Sequence, residues 1–219
     1  MEPNNCHAPI FAISRHRINV DGKGIVTLVC FGGCPLSCRY CINKALCFDK
    51  THWRDYTPEQ LYEKLRLDNL YFLATGGGVT FGGGEPLLCS DFILHFRKLC
   101  GKDWKINLET SLNVPTDHLL PLLDVVDHWI IDIKDMNPDI YRTYTGKDNL
   151  KVLEHLRLLA GRGKTANSTV RVPLIKDFNT EASRQQSILQ LQNLGFIRFD
   201  KLQYIIKEQT EKSIVYEYR

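Results

Sequence analysis

Six short apolar runs, rich in β-branched and aromatic residues, alternate along this chain with stretches of helical periodicity, and that alternation limits the fold more than any other feature. The runs are Ile25 to Phe31, Val79 to Phe81, Lys105 to Glu109, Trp129 to Lys134, Thr169 to Pro173 and Lys201 to Ile206. The helical stretches carry their own punctuation. Thr57-Pro58-Glu59-Gln60 reads as an N-cap hydroxyl, a proline at the first helical position and a glutamine at the third, opening a helix that buries Leu61 and Leu65. Phe92, Phe96 and Leu99 mark a second helix by their spacing. Asn149 to Ala160 predicts a third with Leu153, Leu156 and Ala160 inward, stopped by Gly161, and Thr180 to Leu194 a fourth, stopped by Gly195.

A strand followed by a helix, repeated, needs parallel strands joined by right-handed crossovers, which leaves a doubly wound sheet or a barrel. Eight such units take about 250 residues. With 219 residues, the expected fold is α/β: a partial (β/α)6 TIM-like barrel of parallel strands with outer helices. In either architecture the functional site lies at the carboxyl ends of the strands. There is no internal repeat, low-complexity tract or linker, so one domain over 1–219 is expected.

A net charge of +3, with no block of like charge, argues against a nucleic-acid footprint. Arg15-His16-Arg17 reads as solvated surface. No run approaches the roughly 18 apolar residues of a membrane span, and Met1 to Val20 has no long apolar run, so no export signal is expected. A cytoplasmic protein is the expectation.

Of the eight cysteines, at positions 6, 30, 34, 38, 41, 47, 89 and 100, five crowd between Cys30 and Cys47. Without an export signal, such crowding points to metal ligation in a reducing compartment. Cys34-Pro-Leu-Ser-Cys38-Arg-Tyr-Cys41 follows the first strand, in a loop of about 32–44 introduced by Gly32 and Gly33. Three thiolates on one loop can hold three corners of a cubane iron-sulfur cluster. The fourth iron is then open to a substrate's amino and carboxylate groups, as an open position distinguishes catalytic from structural zinc. The alternative is structural zinc with Cys30 or Cys47 as fourth ligand. Zinc favours two paired knuckles, whereas Cys89 and Cys100 stand eleven apart. The remaining cysteines read as small buried hydrophobes.

Gly76-Gly-Gly-Val-Thr-Phe-Gly82-Gly-Gly-Glu85-Pro86-Leu87 brackets the second strand with glycines. Glycines after a strand let backbone approach a ligand closely, and Glu85 adds an acceptor for an ammonium group. A tight turn into the next helix is the alternative. A dinucleotide fingerprint fails, because Leu87 occupies its third glycine position. Further on, Glu109 ends the third strand, and alternation puts Asp132 and Lys134 on one face of the fourth. In an apolar interior these two need each other or a ligand. Arg171, on the fifth strand, offers a second positive charge for a carboxylate, or pairs with a neighbouring acid.

The C-x3-C-x2-C spacing with Tyr40 before the last cysteine resembles the radical S-adenosylmethionine (SAM) superfamily. The longer string Asp21-Gly-Lys-Gly24-Ile25 through Gly33-Cys34-Pro-Leu-Ser-Cys38-Arg-Tyr-Cys41-Ile-Asn43 resembles the activating enzymes of glycyl radical enzymes, of the pyruvate formate-lyase activase type. The glycine segment is similar to the GGE motif of that family, and Asp132-Ile-Lys134 to its D-x-K motif. The resemblance implies one [4Fe-4S] cluster on Cys34, Cys38 and Cys41, reductive cleavage of SAM to a 5′-deoxyadenosyl radical, and hydrogen abstraction from a glycine of a partner glycyl radical enzyme. It implies that Gly83, Gly84 and Glu85 hold the methionine end of SAM, that Tyr40 lies beside the adenine and that Lys134 meets the carboxylate. Arg171 and Asp132 join that set, and Glu109 with Asp132 are the candidates for a Na+ or K+ ion. No catalytic side chain beyond the cluster and SAM is implied. The reductant implied is flavodoxin or ferredoxin, in anaerobic cytoplasm.

The chain departs from that family in three places. Lys23 and Val26 replace a proline and a basic residue, and no histidine stands around Tyr204-Ile205. No ferredoxin-like insertion with further cysteines is present, and the short C-terminus, Ser213 to Arg219, is expected to leave the barrel mouth open to a large substrate. Two other readings stay open: a radical SAM enzyme acting on a small molecule or peptide, and a zinc-stapled binding module.

Overall fold

The computed structural model describes residues 6–206 and 216–218, so the C-terminal expectation falls largely outside the described residues. These residues form two compact units, one of residues up to 35, 43–110 and 114–130, the other of 36–42, 111–113 and 131 onward.

In the first unit, strands β1 (Ala8–Ile18), β2 (Ile25–Phe31), β3 (Arg54–Tyr56), β4 (Gly78–Gly83) and β5 (Lys105–Thr110) run in the order β3-β1-β2-β4-β5. β2, β4 and β5 are parallel, as the alternation requires, while β1 lies antiparallel to β2 and β3. The helices are α1 (Lys44–Phe48), α2 (Pro58–Leu65), α3 (Asn69–Thr75), α4 (Ser90–Cys100) and α5 (Thr116–Leu119). α2 starts on the capping box read from sequence, Gln60 N–H donating to Thr57 Oγ1 at 3.2 Å and Thr57 N–H to Gln60 Oε1 at 3.0 Å. The core is aromatic: Phe31 stacks on Phe81 at 5.4 Å, and Phe92 and Phe96 of α4 meet these two edge-on at 5.7 and 5.4 Å. Each such pair contributes about 0.5–1.5 kcal/mol beyond its buried area. Leu99 is not part of this stripe; it is 37% exposed, and Ile93 and Cys100 take the inward positions.

β6 (His128–Asp132) passes from the first unit into the second. The second unit continues with α6 (Pro138–Thr145), α7 (Leu150–Gly161), β7 (Ser168–Arg171), α8 (Glu181–Asn193), β8 (Phe199–Asp200), β9 (Tyr204–Ile206) and β10 (Tyr216–Tyr218). β7 and β8 are parallel, β9 and β10 antiparallel. Ile133 N–H donates to Arg171 O at 3.0 Å, tying the end of β6 to β7. In α7 the buried stripe is Val152, Leu156 and Leu159, with Leu153 and Ala160 only half-buried. Gly161 still belongs to that helix, and Gly163, at φ +67°, makes the turn. Of the sixth expected strand, Lys201 to Ile206, only Tyr204–Ile206 forms a strand, β9; Lys201 and Leu202 follow β8, which lies before the expected range.

The alternation of β1 is broken by Pro9, by register shifts after Ile10 and Ser14, and by His16 at φ +56°, so its sequence does not read as a strand. Arg15-His16-Arg17 is not plain solvated surface. Arg15 and His16 reach the buried Asp68 at 2.6 and 3.0 Å, Thr27 donates to the same carboxylate at 3.0 Å, and Arg17 pairs with Asp21. Among the described residues no helix is long and apolar enough to cross a membrane.

Candidate functional site

In the first unit, the residue before Cys34 is fixed on both sides. Gly33, at φ +86°, donates its N–H to Cys47 O at 2.8 Å and accepts Glu85 N–H on its carbonyl at 2.9 Å. Gly84 N–H donates to Phe31 O at 2.9 Å. A Cβ on Gly84 would stand 2.2 Å from Gly33 O and 2.7 Å from Phe31 O, and one on Gly83, at φ +88°, 2.5 Å from Cys30 Cβ. These glycines therefore make room for the chain's own backbone, as the tight-turn alternative requires. Glu85 is 1% exposed. Its Oε1 accepts from Thr110 Oγ1 at 2.6 Å and from Leu87 N at 3.3 Å, capping the turn Pro86–Cys89. Glu109 lies under β4, where a Cβ on Gly82 would meet its Oε2 at 2.8 Å.

The second unit gathers Cys38, Cys41, Asp132 and Lys134. Burial pushes the Cys38 thiol up, Lys134 pulls it back down, and Cys41 and Asp132 add to the rise. Lys134 is 11% exposed, 3.5 Å from Asp132 Oδ2, and donates to Tyr204 OH at 3.2 Å. Burial opposes its charge, yet Asp132 and then Tyr204 hold it well above the usual ammonium range. The pairing of Asp132 with Lys134 read from sequence is thus present, although Lys134 lies beyond the end of β6. Tyr204, which the sequence reading does not name as a candidate, is the partner of Lys134. Its signal was its place, the position where the expected histidine is absent.

The backbone of the cysteine segment rests on the C-terminal end of α6: Ser37 N–H donates to Thr145 O at 2.9 Å and Arg39 N–H to Tyr144 O at 3.1 Å. Such carbonyls have no partner within their own helix. Tyr40 packs edge-on against Phe178 at 5.5 Å, and its hydroxyl donates to Asp177 Oδ2 at 3.4 Å. Arg171 Nε lies 3.7 Å from Asp200 Oδ2, the neighbouring-acid pairing. Glu109 belongs to the first unit and Asp132 to the second.

Among the described residues, no group of three or more His, Cys, Asp or Glu converges on one metal-ion position. The chemistry of the donor set nevertheless discriminates. Cys34, Cys38 and Cys41 are partly exposed thiols on one short segment. Burial, with Glu109 and Asp21 adding to it, pushes Cys30 up to about 12, which makes it a poor fourth ligand for zinc.

The radical SAM superfamily description matches residues 28–183. The pyruvate formate-lyase 2-activating enzyme of Escherichia coli (strain K12) is 31% identical over 84% of this chain and 72% of that one. The (2S)-3-sulfopropanediol dehydratase activating enzyme of Klebsiella oxytoca is 31% identical over 89% of this chain and 84% of its own length. Among solved structures, Streptococcus suis SuiB bound to its precursor peptide SuiA aligns with TM-score 0.61 and 14% identity over 78% of this chain, which spans 37% of that one. This last likeness shows a shared fold, the α/β architecture of parallel strands and outer helices read from the sequence.

Proposed function

The chain belongs to the radical SAM superfamily, and from that premise we propose that it activates a glycyl radical enzyme. Cys34, Cys38 and Cys41 would hold a [4Fe-4S] cluster, which would supply the electron for reductive cleavage of SAM and, through it, hydrogen abstraction from a glycine of the partner. The donor set fits that group: three thiols, with the competing Cys30, Cys89 and Cys100 held protonated at about 12, 12 and 11.

The observation that carries the proposal is that Cys38, a half-buried thiol, has Lys134, Cys41 and Asp132 as its electrostatic neighbours. Lys134, kept charged and aimed by Asp132 and Tyr204, is suited to receive a carboxylate. Glu85 and the Gly83–Gly84 backbone are the candidates for the amino end. Tyr40 and Arg171, each beside an acid of its own, Asp177 and Asp200, are the further candidates for contacts to SAM. These residues bind and orient, and none of them needs to transfer a proton. Glu109 and Asp132 remain the candidates for Na+ or K+, an external donor of the flavodoxin or ferredoxin kind supplies the electron, and anaerobic cytoplasm is the compartment this chemistry calls for.

Mixing the reduced, SAM-loaded protein with a glycyl radical enzyme from its own organism tests the reading. A glycyl radical signal by electron paramagnetic resonance (EPR), dependent on both proteins, is expected. Formation of 5′-deoxyadenosine without such a signal on any candidate partner would favour a small-molecule or peptide substrate.

A further inference from the structure

Asn43 stands two residues past Cys41, at the N-cap of α1. An asparagine there ordinarily turns back on its own helix and accepts a backbone N–H of the first turn. Asn43 makes no such bond. Its Nδ2 donates instead to the carbonyl of Gly83 at 3.0 Å, a residue 40 positions away. The helix starts without it, Cys47 N–H closing the first turn on Asn43 O at 2.7 Å. The side chain has left its local role for a distant strand end.

That strand end has little freedom to follow. Gly83 sits at φ +88° against Cys30, and the next two amides are bonded to Phe31 O and Gly33 O. Gly33 and Asn43 flank the segment Cys34 to Ile42 in the chain. Both are therefore bonded to the same short run, Gly83 to Glu85, one through backbone and the other through its side chain. Two anchors, one at each end of the cysteine segment, hold that run in register with the places where the segment begins and ends.

Resting on the function proposed above, we infer that Asn43 is a positioning residue for SAM: its bond to Gly83 holds the backbone that receives the methionine end in register with the three cysteines. Asn43→Asp and Asn43→Ser both suit an N-cap, so α1 keeps its start, and neither presents an amide donor to Gly83. In the metal-free protein, amide hydrogen exchange over Gly83 to Glu85 is expected to rise about fivefold in both variants. After anaerobic reconstitution, both should hold wild-type iron and sulfide, while the SAM concentration that gives half of the EPR change rises about tenfold.

Wild-type exchange together with wild-type SAM dependence overturns the role. So does loss of iron with unchanged exchange, because Asn43 would then act on cluster assembly alone. A wild-type protein that takes up iron and ignores SAM removes the functional reading on which the role rests. That failure is visible before any substitution is made, and so is distinct from a failure of Asn43.

Discussion

Glu85 donates its backbone N–H to the carbonyl of Gly33 at 2.9 Å, so the glycine-rich turn after β4 is bonded to the residue that immediately precedes Cys34. Two motifs some fifty positions apart share one hydrogen bond at their roots. The close approach depends on Gly84, which has no side chain to hold them apart.

Gly84→Ala should therefore cost about 2 kcal/mol or more, lowering Tm by about 4–8 °C, because the added methyl would meet three fixed neighbours, two of them backbone carbonyls. Gly161→Ala is the contrast. Nothing lies within 4 Å of its Cβ position at the end of α7, and a gain of about 0.5–1 kcal/mol is expected. Thermal unfolding of the two variants side by side checks the difference in sign.

Lys134 favours the thiolate of Cys38 against the effect of burial. Lys134→Met should push that thiol higher still, so that alkylation of Cys38 in the metal-free protein at pH 8 slows by about threefold or more. In the loaded enzyme the same variant should raise KM for SAM at least about tenfold, and Tyr204→Phe should raise it less. Peptide mapping after timed alkylation reads the first effect, initial rates the second.

Asp68 is 1% exposed. Burial works to raise its pKa, but hydrogen bonds from Arg15, Thr27 and His16 outweigh it and hold the carboxyl below its ordinary range. A carboxylate depressed in the folded state stabilises above its unfolded pKa of about 3.9, and that contribution is lost as pH falls through the folded value. Asp68→Asn is expected to be about 1–3 kcal/mol less stable at pH 7, with the gap to wild type narrowing below about pH 4. Urea unfolding at pH 7 and pH 3.5 measures both gaps. Equal gaps would show that the charge of Asp68 is not what stabilises β1.

Cys30 and Cys89 are pushed up to about 12, chiefly by burial. In the native protein at pH 8 both should resist iodoacetamide over hours in which Cys34 and Cys41 react, and become reactive on unfolding. Cys30→Ser should leave bound iron unchanged, whereas Cys38→Ala should lose it.

The parallel core was legible because β2 is a nearly continuous apolar run, and because Val79 and Phe81 of β4 and Ile106 and Leu108 of β5 are apolar positions that the fold buries completely. β2 occupies the residues expected, and the cap read at Thr57 starts its helix, while Thr180 and Ser183 form a second capping box that the sequence reading did not name. The antiparallel β1 was illegible for a physical reason. Its bulged register and the left-handed His16 erase the period of two, and Arg15 and His16 answer an acid, Asp68, that only the folded chain brings near. The cysteines and the glycine segment announced themselves by spacing. Tyr204 and Asn43 did not, since neither residue type is distinctive and each matters through one bond to a residue 70 or 40 positions away.

The most direct test of the central claim is to purify the chain without oxygen, reconstitute it with iron and sulfide, reduce it, and record EPR with and without SAM while assaying 5′-deoxyadenosine in the same tube. The account predicts a reduced-cluster signal that changes when SAM is added, together with accumulating 5′-deoxyadenosine. A colourless, zinc-containing protein with neither the signal nor the product would contradict it.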